Sequence, residues 1–259
     1  MQPAIFAAHG SPMLALEENA YTRALRSLGE RYRPRAVIVF TAHWESNIQA
    51  ISDVAAYETI HDFGGFPPEL YRMQYPARGD AATAVRAAEL LTEAGIPFVW
   101  DRRRGLDHGA WVPLRLIYPD GSVPVVQMSV NPWASPAEQY RIGQALAPLR
   151  REDVMILASG GTIHNFATLR WDDPPEADAW AVAFDDWLLG RIREWDLPAL
   201  FDYERQAPGA RLAVPPGGNE HFVPLFYALG AADDQRTVQE LHRSYRYGNL
   251  SHALWAFGG

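Results

Sequence analysis

Residues 36–44 read AVIVFTAHW, an apolar and largely β-branched run that ends beside a histidine. A continuous apolar run of this length suits a strand buried on both faces, as in a parallel sheet covered by helices. Two other stretches repeat the pattern: AIFAAHG at 4–10 reaches His9, and DVMILASGGTIHN at 153–165 reaches His164. Three buried strands that each lead into an imidazole put the rings at the carboxyl edge of one sheet, where open α/β sheets bind ligands.

Outward from these runs, short apolar segments alternate with longer amphipathic ones, the signature of strands joined by crossover helices. Strands are expected at 3–8, 36–42, 48–54, 123–130 and 154–159, and helices at 18–32, 80–94, 136–149, 177–194 and 220–229. Ser135, Pro136 and Glu138 form a capping box with proline at the first helical position, and Gly95 is placed to end the second helix. The expected fold is one α/β domain over residues 1–259, with a central, largely parallel or mixed sheet, flanking helices and an active site at the strand carboxyl ends. No repeat, low-complexity tract or linker interrupts it. One irregular stretch, IHDFGGFPPELYRMQYPARG at 60–79, is long enough to be a functional loop.

Composition narrows the chemistry. Hydrophobic residues make up 48% and charged residues 21% of 259, an ordinary globular balance, and the formal charge is -8. Such a charge repels polyanions, and Arg102, Arg103 and Arg104 are the one dense basic run, so nucleic acid is not an expected partner. The chain has no cysteine, which excludes disulfides, thiolate metal sites and cysteine nucleophiles; a metal must rest on His, Asp or Glu. The opening MQPAIFAAHGSPMLAL has no basic leader and is broken by Gly10 and Pro12, so a cytoplasmic protein without a membrane segment is expected.

Five of the eight histidines stand in distinctive surroundings. Besides His9, His43 and His164, His108 lies in GLDHGAW, where the glycines favour a tight turn and Asp107 is placed to orient a nearby imidazole. His221 lies in PPGGNEHFVPLFYALG, in the first turn of a helix for which Asn219 is the expected cap. Adjacent side chains diverge, so Glu220 and His221 cannot easily share one ion, and spacing does not choose between them. His61 is placed to line a cavity mouth, whereas His242 and His252 read as surface or structural. Trp44, Phe63, Phe66, Tyr71, Tyr75 and Trp111 are aromatic walls for a planar ligand, and Arg102–Arg104 are candidates for meeting a carboxylate.

The segments HGSPM, TAHW, TIHDFGGFP, LYRMQYPA, DHGAW, PVVQMSV, ASGGTIHN and EHFVPLFYALG, in this order, resemble the DODA-type extradiol ring-opening dioxygenases. The resemblance implies one divalent metal ion, Fe(II) for activity or Zn(II) as isolated, held by His9, His43 and His221. It makes His164 an acid/base residue or a fourth ligand, and His108 a second acid/base residue. His61, Phe63, Trp44 and Tyr71 become substrate-binding residues, and the partners become a small aromatic diol and dioxygen. Two other readings stand beside it: a zinc hydrolase using the same histidines, and a non-catalytic binding protein.

Overall fold

The computed structural model describes all residues, Met1–Gly259. Ten strands are present: β1 (Ala4–Ala8), β2 (Ala36–Glu45), β3 (Gln49–Ser52), β4 (Phe98–Asp101), β5 (Val125–Val130), β6 (Val154–Gly160), β7 (Val238–His242), β8 (Tyr245–Arg246), β9 (Leu250–Ser251) and β10 (Leu254–Phe257). Eight form one mixed sheet in the order β4-β3-β5-β2-β6-β1-β10-β7; β8 and β9 make a separate hairpin. The central four, β5, β2, β6 and β1, run parallel, while β10 and β7 add antiparallel strands at one side.

Side chains alternate across each central strand, so each feeds two cores. Phe6, Ile38, Phe40 and Ile156 pack on one face beneath the helices Pro136–Leu146, Ala179–Glu194 and Pro224–Ala231. Ile5, Val37, Val39 and Leu157 pack on the other, against the helices Ala20–Arg31 and His108–Ile117. This double burial is why the runs read as apolar throughout. No helix is long and apolar enough to cross a membrane.

The local signals set several boundaries. Ser135 and Glu138 cap the Pro136–Leu146 helix reciprocally, Asp80 caps Ala81–Glu93, and Gly95 follows that helix with a positive φ of 67°. The helix expected over 136–149 breaks at Ala147 and resumes as Pro148–Arg151, because Pro148 has no N–H to continue the ladder. The last helix begins at Pro224, later than expected, so Glu220 and His221 lie in the preceding turn. Asn219 does not cap it by side chain; its Nδ2 donates to the Pro132 carbonyl.

The His108–Ile117 helix is the largest departure from expectation. Gly109 and Pro113 look like breakers, but Asp107 caps the helix and nearly every residue is buried, so packing outweighs propensity. Strands β4, β7 and β10 were too short or too mixed in polarity to stand out.

Close helix packing yields a stability test. The Pro224–Ala231 helix lies against Pro136–Leu146 so tightly that a Cβ on Gly230 would sit 1.9 Å from the Tyr140 carbonyl oxygen. Gly230→Ala should cost about 1–3 kcal/mol through overpacking, read as a lower urea midpoint with unchanged slope.

Candidate metal centre

The parallel edge assembles the site. His9 follows β1, His43 lies within β2, and β6 runs between these strands, ending in Gly160 with Gly161 just beyond. A Cβ on Gly160 would stand 2.1 Å from the His221 carbonyl oxygen, so glycine there lets the 219–223 turn descend onto the sheet. The Gly161 N–H then donates to that carbonyl at 2.7 Å. His108 enters from the first position of its helix, and His164 arrives three residues after Gly161.

All five imidazoles converge. His9 Nε2 and His43 Nε2 are 3.0 Å apart. The His221 ring centroid lies 5.0 Å from His9 and 4.9 Å from His43, and that of His108 lies 4.0 Å from His43. His164 stacks on His221 at 3.5 Å with 7° between planes. Candidate donor atoms of His9, His43 and His108 lie within 4.8 Å of one another, as do those of His164, Glu220 and His221.

Hydrogen bonds fix which nitrogen carries the proton in three of the rings, those of His9, His108 and His221. Ser159 gives its hydroxyl hydrogen to the Gly109 carbonyl, so its oxygen is left to accept from His9 Nδ1 at 3.1 Å. His221 Nδ1 donates to Glu220 Oε1 at 2.9 Å, and His108 Nδ1 donates to Asp62 Oδ1 at 2.9 Å. Each bond leaves an Nε2 lone pair free, the usual way an outer partner orients an imidazole ligand. His221 Nε2 is buried and has no partner. An unpaired buried acceptor is costly unless something occupies its lone pair.

The electrostatics agree. Burial, followed by the neighbouring imidazoles, holds His9 and His221 well below the ordinary histidine value. Burial and His108 bring His43 down to about 4, against partial support from Asp107 and Asp62; burial and His221 bring His164 down to about 3. Burial pushes the Asp62 carboxyl up, but its bonds to His108 and the charges of His108 and His43 outweigh this and hold it at about 2. Neutral imidazoles with free lone pairs are what a divalent ion requires. Two nitrogens each about 2.1 Å from one ion and at right angles stand about 3.0 Å apart, so the donor spacing fits.

A cavity of about 470 Å³ opens over the cluster. His43, His108, His164 and His221 line its floor, and the 60–79 loop contributes Asp62, Phe63 and Phe66. Other residues expected to bind substrate lie elsewhere. Trp44 follows His43 on a strand and so points to the opposite face, where the Arg104 guanidinium lies 5.1 Å over its ring. His61 donates from Nε2 to the Met73 carbonyl, and the Tyr71 hydroxyl accepts from the Phe66 N–H; their rings buttress Phe63 from behind.

The arginine run also misses the cavity. Arg102 pairs with Asp53, while Arg104 donates to Asp107 and to the His43 carbonyl, holding β2 in place. Asp107 touches no imidazole: its carboxylate accepts from Thr41, Gln127 and the Ala110 N–H. Asp62 takes the orienting role at His108, which sequence reasoning did not single out. His252 stacks on Tyr21 and His242 bonds Ser244, both outside the site.

Comparison with known proteins places this geometry. Residues 3–256 match the family described as the catalytic LigB subunit of aromatic ring-opening dioxygenase. A 4,5-DOPA dioxygenase extradiol of Beta vulgaris is 38% identical over 97% of this chain and 95% of that protein. One of Escherichia coli K12 is 38% identical over 96% and 92%. A crystal structure of an uncharacterized protein from Escherichia coli K12 superposes with a TM-score of 0.82 at 33% identity, covering 100% of both chains. An α/β sheet with its histidines gathered at the parallel edge, matched along nearly its whole length, belongs to the DODA-type branch of the ring-opening dioxygenases, and the chain is an extradiol ring-cleaving dioxygenase of that family.

Proposed function

We propose that the chain is a metal-dependent, 4,5-DOPA dioxygenase-like enzyme that inserts both atoms of dioxygen into a catechol and opens its ring. The observation that carries this reading is the unpartnered, buried His221 Nε2 beside the 3.0 Å pair of His9 and His43 nitrogens. These three residues would hold one divalent ion, and Glu220 acts by fixing the His221 tautomer, not as a ligand. Iron(II), when bound, supplies the redox-active centre through which dioxygen and a closed-shell aromatic can react. Zinc suits the same nitrogens but supports no redox step.

The remaining histidines move protons. His164 lies face to face with His221, and lone pairs of parallel rings 3.5 Å apart do not converge on one point, which favours acid/base work over a fourth ligand. His108, held by Asp62 at Nδ1, presents Nε2 as the second acid/base group. One of the two accepts a catechol hydroxyl proton and the other returns a proton as the ring opens. Phe63 and Phe66 offer faces to the planar substrate, and the half-enclosed cavity limits water.

Three measurements test the reading. Anaerobic loading with iron(II), then a catechol and oxygen, should give a yellow ring-fission product, whereas zinc-loaded protein should give none; equal activity with zinc would overturn it. His221→Ala should lose bound metal, while His164→Ala should keep it and lose about 10²–10⁴ in kcat. Loss of metal in both would make His164 a ligand.

Acid should unfold the metal-free protein early. His43 and His164 titrate near 4 and 3 when folded against about 6.5 for an ordinary histidine, so the unfolded chain binds more protons in between. Stability is therefore full above about pH 6.5 and falls as pH drops toward the folded values. Thermal scans of metal-free protein should show this slope, flattened in the double variant His43→Asn, His164→Asn.

A further inference from the structure

His9, His108 and His221 each have a partner at Nδ1, but neither nitrogen of His164 makes a hydrogen bond to another residue. Its ring rests on His221 and against the edge of Phe166, whose centroid is 4.9 Å away and which is itself largely exposed. The place of His164 is therefore set by the backbone that carries it. After it, the Asn165 side chain donates to the Leu212 carbonyl at 3.0 Å on the exposed side. Before it come Thr162 and Ile163, both wholly buried, and in them the anchor must lie in the interior.

Asp185, on the Ala179–Glu194 helix, is also wholly buried. Its Oδ2 accepts from the Ser251 hydroxyl at 2.6 Å and the Tyr245 hydroxyl at 2.9 Å, both on the β8–β9 hairpin. Asp185 Oδ1 and the Thr162 hydroxyl are each buried, and neither has a partner elsewhere. Burial raises the pKa of the Asp185 carboxyl, against which the hydroxyls of Ser251, Thr162 and Tyr245 and the charge of Arg243 draw it down. With Oδ2 already taking two donors, Oδ1 is the oxygen left for Thr162. A carboxylate accepts several donors at once, so one buried group can tie a helix, a hairpin and the stretch leading to His164.

We propose that Asp185 is a positioning residue for His164, acting through the Thr162 hydroxyl. The inference rests on the acid/base role of His164 in catechol cleavage and adds the group that keeps that ring in place. Thr162 cannot shift without stranding a buried carboxyl oxygen where water does not replace the lost donor. From there the chain passes through Ile163 to His164, whose N–H donates to the Ala213 carbonyl at 3.1 Å. A displacement of about 1 Å at this ring is enough to spoil a proton transfer.

Four variants test it. Thr162→Val removes the hydroxyl at nearly constant volume, Thr162→Ser keeps it, Asp185→Asn exchanges the carboxylate for an amide, and Tyr245→Phe removes one donor from Oδ2 alone. In zinc-loaded protein, which supports no redox step, the His164 ring signal is followed by NMR and assigned by its absence from His164→Ala. It should shift or broaden in Thr162→Val and Asp185→Asn and keep its wild-type position in Thr162→Ser and Tyr245→Phe. In iron-loaded protein assayed with DOPA and with catechol, kcat should fall about tenfold in Thr162→Val and Asp185→Asn while KM and bound iron hold within about twofold. Thr162→Ser and Tyr245→Phe should stay within about twofold of wild type in both constants. A His164 signal unmoved in Thr162→Val, an equal kcat loss in Tyr245→Phe, or loss of bound metal in both Thr162→Val and Asp185→Asn each overturn the positioning role. Wild-type protein that cleaves neither diol sinks the catechol-cleaving reading alone, and the NMR signal then decides the part played by Asp185.

Discussion

Four of the imidazoles crowded at one sheet edge, those of His9, His43, His164 and His221, are held toward their neutral forms by burial and by their neighbours, because charges so close together and so far from water would drive them apart. Much else in the molecule serves that constraint. Each of His9, His108 and His221 has its Nδ1 proton taken by a partner, from Ser159, Asp62 and Glu220 respectively, and each is left with a lone pair turned inward. Without those partners the tautomers would be free to exchange, and the inward nitrogens would present hydrogens to one another instead of electron pairs.

The sheet supplies the convergence. Because β6 lies between β1 and β2, the rings of His9 and His43 meet over its end, where Ser159 holds His9 Nδ1. Gly160 admits the backbone of the turn carrying His221. The site is thus as much a property of an absent side chain as of those present. Beneath it, Arg104, Asp107, Thr41 and Gln127 form a polar lattice that secures β2 and the start of the His108–Ile117 helix, although none of them reaches the cavity.

The parallel core was legible because strands buried on both faces read as unbroken apolar runs, and five histidines could be singled out because they ended such runs or stood among glycines. What escaped notice had weaker local signals. Gly109 and Pro113 disguised a helix held by burial, β7 is an edge strand of mixed polarity, and β10, though apolar, is only four residues long. Trp44 was misplaced because its neighbour on a strand was the functional residue, and alternation sends the next side chain away. Asp62 was overshadowed by His61, whose imidazole faces the Met73 carbonyl. Orientation of this kind depends on tertiary packing, which residue spacing in an irregular loop does not encode.

Strand order also imposes a timetable on assembly. β1 pairs with β6 on one side and β10 on the other, so residues 4–8 need partners near 160 and 257 before their hydrogen bonds are complete. Pairings of such long sequence separation form slowly. His9 therefore reaches its final place only once these distant pairings have formed, so the gathered nitrogens are a product of the assembled sheet and of no single local segment.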